Sequence, residues 1–323
     1  MTNIDLLKII CIISVILLHI SSDNMFSLKY QHLIKSNFTI LNLYNMLTRF
    51  CVPCFIMISG MFILNKEISI KEIFKKYILK IFIIFFLFSL LYALFESYSN
   101  NKDFISVFIT GYYHLWYLYL IIGLYLITPI LKKITNDKKI IIYYLVLSFI
   151  FTSVIPFIIT FIKISSLKLA LSYLNIHMVL GYTGYYLAGY YFSKYKVNTK
   201  IFYILGIIGF IFNYILFLIM FYDNKLYDTI FLQPGTVFQS IAVYLFFQNI
   251  KIKNNELITF ISSTNLCVYL IHVIILELLL SIFPYIIYNN PLIFIPLFTL
   301  IIYIVCLLIS ITLKKIPLLK RLL

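Results

Sequence analysis

Charge is scarce in this chain: 11% of its 323 residues are Asp, Glu, Lys or Arg, against 63% hydrophobic. That imbalance excludes a soluble globular fold, because one core cannot hide so much apolar surface, and the mean hydropathy of +1.03 agrees. Acidic residues are scarcest, 11 against 26 Lys and Arg, which leaves a formal net charge of +15. A nucleic-acid partner would need those basic side chains clustered on one surface. They fall instead in the short gaps between apolar runs, so no nucleic acid is expected. No second Cys or His pair stands at ligand spacing from Cys51-Val-Pro-Cys54, so no metal site is expected. A basic leader and a small-residue cleavage site are both missing from the N-terminus, which predicts a retained first span rather than a signal peptide. The longest polar gap, Ser21 to Leu43, is about twenty residues, too short for a second folded unit. A single membrane domain over residues 1–323, with no appended soluble domain, is the expectation.

What is present is apolar sequence in bilayer-crossing lengths. Spans near 5–22, 44–64, 77–97, 113–131, 140–162, 176–194, 200–222, 229–249, 257–281 and 291–311 predict an all-α, polytopic membrane bundle of about ten helices. An even number puts both termini on one side. Counting Lys and Arg on alternate sides gives seventeen against six, with Lys8, Arg49 and Lys80 left inside spans. The positive-inside rule makes the first side, and so both termini, cytoplasmic in a multi-pass protein of the cell (plasma or inner) membrane.

The first span, Ile4 to Ile20, carries Asp5, Lys8 and His19, groups that are unfavourable in hydrocarbon and therefore candidates for function. Lys8 and His19 are eleven residues apart, about 16 Å of helix and nearly whole turns, so they share a face, with Asp5 one turn below Lys8. Arg49 lies in the first turns of the second span and either snorkels to headgroups or faces the bundle interior. Pro53 and Ser59-Gly60 argue for a kinked, closely packed helix and so for the interior. Cys51 and Cys54 have the spacing of a redox pair, but an apolar span beside Arg49 favours membrane packing.

Further along, Lys71, Lys75, Lys76 and Lys80 fit ordinary positive-inside bias, or a basic mouth for a phosphate-bearing ligand. Span four opens with His114, the sole tryptophan Trp116, and Tyr117. This run is either an interfacial aromatic belt or a wall that packs on a sugar or acyl group. Gly181 to Gly189 offers small residues for helix contact, and Phe231-Leu-Gln-Pro-Gly-Thr236 is a broken entry that lines a cavity or forms a loop. Tyr269 and His272, three residues apart, share a face of span nine. The basic C-terminal segment from Lys314 reads as lipid-contacting.

Asp5-Leu-Leu-Lys8 followed by His19, Val52-Pro-Cys-Phe-Ile-Met-Ile-Ser-Gly60, His114-Leu-Trp-Tyr-Leu-Tyr119 with Gly123 to Pro129, and Tyr269-Leu-Ile-His272 together resemble the acyltransferase family 3 proteins. Among these the chain is most similar to the stand-alone surface polysaccharide O-acetyltransferases, with the four blocks in order from span one to span nine. The family usually has Arg at the position of Lys8, and an Arg-x-x-Arg entry to span three that reads Tyr77-Ile-Leu-Lys80 here. Lys keeps the charge but loses the planar fork.

The resemblance implies a cytoplasmic acyl-CoA donor, commonly acetyl-CoA, a saccharide acceptor at the outer face, and no permanently bound cofactor. Asp5, Lys8, Lys76 and Lys80 are then the donor-binding candidates. His19 is the candidate general base or acyl carrier, with Asp23, or Glu96 or Glu277, to orient it. Arg49, or His114 and Trp116, would stabilise the oxyanion, and Tyr117, Tyr269 and His272 complete the acceptor side. The rival reading is a transporter or flippase for a lipid-linked sugar, whose intramembrane charges line a pathway; inverted repeats would favour it, and none is evident.

Overall fold

The computed structural model describes residues 1–31, 35–100, 103–161, 173, 180–219, 230–283 and 286–322, and every regular element among them is helical. Among the described residues, eight helical stretches are long and apolar enough to cross a membrane: Thr2–Ser22, Asn37–Leu64, Ile70–Tyr98, Phe104–Ile134, Lys138–Phe161, Thr199–Ile219, Asn265–Ile282 and Pro291–Leu313. Two of the ten expected spans fall short of that length within the described residues, as helices Thr183–Lys194 and Pro234–Asn249.

The bundle is organised around α1 (Thr2–Gln31), the helix that carries the charged face. Around it pack α2 (Lys35–Thr48), α3 (Cys51–Leu64), α9 (Pro234–Asn249), α10 (Glu256–Ser263), α11 (Asn265–Ile282) and α12 (Pro291–Leu313). The remaining long helices are α4 (Leu79–Asn100), α5 (Trp116–Ile134), α6 (Lys138–Phe149), α7 (Thr183–Lys194) and α8 (Thr199–Ile219).

In lipid no hydrophobic force draws helices together, so close backbone packing has to. The pair α3 and α7 does this through Gly60 and Gly189. A Cβ on Gly60 would stand 1.8 Å from the Tyr186 carbonyl oxygen, and one on Gly189 would stand 1.9 Å from that of Met57. The small residues expected to mediate helix contact do so here.

Helix starts follow local chemistry. Ser69 and Glu72 form a capping box at the head of the Ile70–Tyr98 span, with Glu72 N 3.2 Å from Ser69 Oγ and Ser69 N 2.9 Å from Glu72 Oε2. Asp137 accepts from Lys139 N at 2.7 Å to start α6, and Asn255 accepts from Ile258 N at 3.2 Å to start α10.

Two spans depart from the expected single rods. The second begins earlier than residue 44 and breaks at Arg49 and Phe50, between α2 and α3. Pro53 has no N–H for the Arg49 carbonyl four residues back, so the ladder cannot run through this point. The fourth begins as a short helix, Phe104–Thr110, that stops at Gly111. Gly111 has φ of 75°, and an added Cβ would lie 2.9 Å from the Phe85 ring, so glycine alone allows the reversal. The turn Tyr113–Leu115 then delivers His114 into the core.

Candidate active site

Both expected partners on the face of α1 open onto one cavity of about 510 Å³, with Lys8 near one end and His19 near the other. At the Lys8 end the wall is completed by Ser59, Ile81, Tyr125 and Asn265. At the His19 end it is completed by Ser22, Arg49, Tyr113, His114, Trp116 and Phe231. Tyr117 and Tyr269 line it as well. Seven of the expected residues, from four different spans, are thus gathered on one surface.

Arg49 does not snorkel: it is 2% exposed. Its Nε donates to Asn45 Oδ1 at 2.8 Å, and its Nη2 donates to the same oxygen. The guanidinium carbon sits 5.3 Å from the centre of the Phe231 ring. Asn45 in turn donates from Nδ2 to Ser22 Oγ at 2.6 Å and to Ser21 Oγ at 3.3 Å, which ties the arginine to the turn of α1 just after His19. The break at Arg49 is therefore where the second span hands a cation to the cavity.

His19 is half-buried, its ring 5.2 Å from Tyr113 and 5.3 Å from His272, and within electrostatic reach of Arg49. His272 is fully buried behind it. Its Nδ1 lies 2.6 Å from the Tyr269 carbonyl oxygen, which only accepts, so Nδ1 carries the proton and Nε2 is left as an acceptor. His114 packs 5.4 Å from His272 and 4.8 Å from Tyr92, while its own carbonyl accepts the Tyr269 hydroxyl. Three imidazoles thus form one packed cluster that meets the cavity through His19 and His114.

Trp116 sits at the rim, its ring 5.9 Å from Tyr182 and 6.1 Å from Phe231, and Tyr117 lies 5.8 Å from Tyr269. Lining a cavity is more than an interfacial belt requires, and the broken entry around Phe231 lines it too.

The donor-side candidates separate. Lys8 lines the cavity, pairs with Asp5 at 3.0 Å and lies 5.2 Å over the Phe62 ring. Asp5 stands behind it and accepts from Ser262 Oγ at 3.2 Å and Thr259 Oγ1 at 3.4 Å, which fastens α1 to α10. Lys76 is exposed, with its ammonium 5.9 Å over the adjacent Tyr77 ring. Lys80 is half-exposed and faces Lys314, whose Nζ donates to Ser263 Oγ at 3.0 Å. Lys76 and Lys80 are thus placed outside the wall that Lys8 joins.

The Asp23 side chain lies outside the described residues. Glu277 accepts the Tyr112 hydroxyl, and Glu96, fully buried, is bonded to the same tyrosine. Cys11, Cys51 and Cys54 are buried together as free thiols in the core. Asn45, Asn265, Ser22 and Phe231 were not anticipated as site residues. Only the broken entry at Phe231 carried a signal for any of them.

Among the described residues, eight membrane-length helices and a cavity lined by cations and histidines mark the protein as one of the multi-pass membrane class. Residues 1–311 match the family described as acyltransferase domain, the acyltransferase family 3, and the chain belongs to it. No curated protein and no solved structure matches the chain. The protein is therefore a membrane acyltransferase.

Proposed function

We propose that this protein moves an acetyl group from cytoplasmic acetyl-CoA to a hydroxyl of a surface or lipid-linked saccharide, across a ten-span bundle of the cell membrane with both termini cytoplasmic. The observation that carries the reading is the shared cavity: a lysine at one end and a histidine–arginine pair at the other, about 16 Å apart along α1. With Lys8 towards the cytoplasm, its ammonium meets the nucleotide phosphates of CoA, and Lys80, Lys76 and Lys314 add positive charge around that mouth. The pantetheine arm then runs up the cavity and places the thioester beside His19.

The acceptor hydroxyl enters past Trp116 and Phe231, whose ring faces suit a sugar ring. His19 takes the hydroxyl proton as the oxygen attacks the thioester carbonyl. The oxyanion of the tetrahedral intermediate is stabilised by Arg49. The C–S bond then breaks, the sugar ester forms, and the proton passes from His19 to the CoA thiolate, so that CoA leaves as the thiol. His272, with Nδ1 held on the Tyr269 carbonyl, and His114 pack behind His19 and hold its ring. Family membership favours this chemistry over sugar transport.

The test is transfer of labelled acetyl from acetyl-CoA to cell-envelope glycan in membranes with and without the protein. His19→Ala and His19→Gln should abolish transfer while the protein stays in the membrane. Transfer retained by either would remove His19 from the centre of the mechanism.

A further inference from the structure

Asn265 is the first residue of α11, is 7% exposed and lines the cavity at the Lys8 end. Both atoms of its carboxamide, Oδ1 and Nδ2, are sealed from solvent and hold no hydrogen-bond partner. Leaving one such buried group unsatisfied costs about 1–3 kcal/mol, so a side chain with both a donor and an acceptor idle needs a reason. One helical turn back, Ser262 is engaged with Asp5, and the next residue, Leu266, is apolar.

Its position along the bundle is set at two points. Ser262, three residues earlier, meets Asp5 at the start of α1, and His272, seven residues later, packs 5.3 Å from His19. Asn265 therefore enters the cavity about 10 Å of helix rise short of the imidazole cluster. In an extended pantetheine arm the two amides stand about 5 and 10 Å from the thioester carbonyl. A secondary amide presents one N–H and one C=O, the complement of a carboxamide with both atoms free.

On the reading that the donor is an acyl-CoA, we infer that Asn265 binds the pantetheine arm, pairing its carboxamide with an amide of that arm. Lys8 reads the phosphates below it, and Asn265 sets how far the arm climbs, so that the thioester stops at His19. The residue is a donor-binding group and takes no part in proton transfer.

The test is calorimetric titration of the full-length, detergent-purified protein with CoA and, separately, with adenosine 3′,5′-bisphosphate, which has the phosphates but no pantetheine. Asn265→Leu and Asn265→Ala should each weaken CoA about tenfold, the worth of one or two hydrogen bonds, and leave the bisphosphate unchanged. Lys8→Gln should weaken both ligands. CoA binding at wild-type strength in both Asn265 variants overturns the assignment, as does an equal loss for both ligands, which would mark general damage to the site. If the wild type binds neither ligand, the acyl-CoA reading fails and the assignment falls with it. If the wild type binds CoA and the variants do too, only the assignment falls.

Discussion

Asn45 receives two donors of Arg49, Nε and Nη2, on its single amide oxygen, and passes its own amide hydrogens to Ser22 and Ser21 of α1. The carboxamide, fully buried, is thus a clamp between the cation and the helix that bears His19. Four polar groups, two of the guanidinium and two serine hydroxyls, meet on this one side chain.

Asn45→Asp keeps an acceptor for the guanidinium but sets a carboxylate against it, which neutralises the positive charge that the cavity needs. On the proposed mechanism the variant should remain folded and lose acetyl transfer by about 100- to 1000-fold, the size of effect seen when an oxyanion donor is disabled. Transfer rates in membranes, normalised to protein content, read this directly. Wild-type rates would show that Arg49 acts in packing alone.

Arg49→Lys retains the charge and loses the fork that fills Asn45 and reaches the cavity. If Arg49 stabilises the oxyanion as proposed, transfer should fall by at least about tenfold with the Michaelis constant for acetyl-CoA nearly unchanged, because the lost interaction then belongs to the transition state. A change confined to that constant would place Arg49 in donor binding instead.

Lys8→Arg should be tolerated, since the residue faces the cavity and Asp5 can accept either cation. Lys8→Gln should raise the Michaelis constant for acetyl-CoA and leave that for S-acetylpantetheine, which has no nucleotide phosphates, unaltered. Equal effects on the two donors would separate Lys8 from phosphate recognition.

Gly189→Val places a branched side chain where a single Cβ already meets the Met57 carbonyl oxygen at 1.9 Å. Backbone cannot yield as a flexible side chain can, so the loss should exceed about 3 kcal/mol, the upper end of ordinary overpacking. The fraction of monodisperse protein recovered in detergent should collapse. Normal recovery would mean that α3 and α7 can separate without harm.

Much of the site was legible from residue order. Lys8 and His19 share a face because eleven residues make nearly whole helical turns, and that local geometry held: both line the cavity. Arg49 was placed in the interior on the strength of Pro53 and Ser59-Gly60, and the same residues break the helix and pack it against α7. Lys76 and Lys80 show where such reading stops. They lie near the start of the Ile70–Tyr98 span, and composition alone cannot say which side of that helix meets the cavity.

The chain's own order therefore determined the all-helical membrane architecture, the charged face of α1 and the blocks that mark the family, because hydropathy, helical period and local spacing depend only on neighbours in sequence. The tertiary structure decided that Asn45 clamps Arg49, that Asp5 fastens α10 rather than lining the cavity, and that Asn265 stands with both amide atoms idle below His19. Those residues come from helices up to 260 positions apart, as Asp5 and Asn265 are. No period in the sequence encodes which helix faces meet, since that follows from close packing among all of the spans at once.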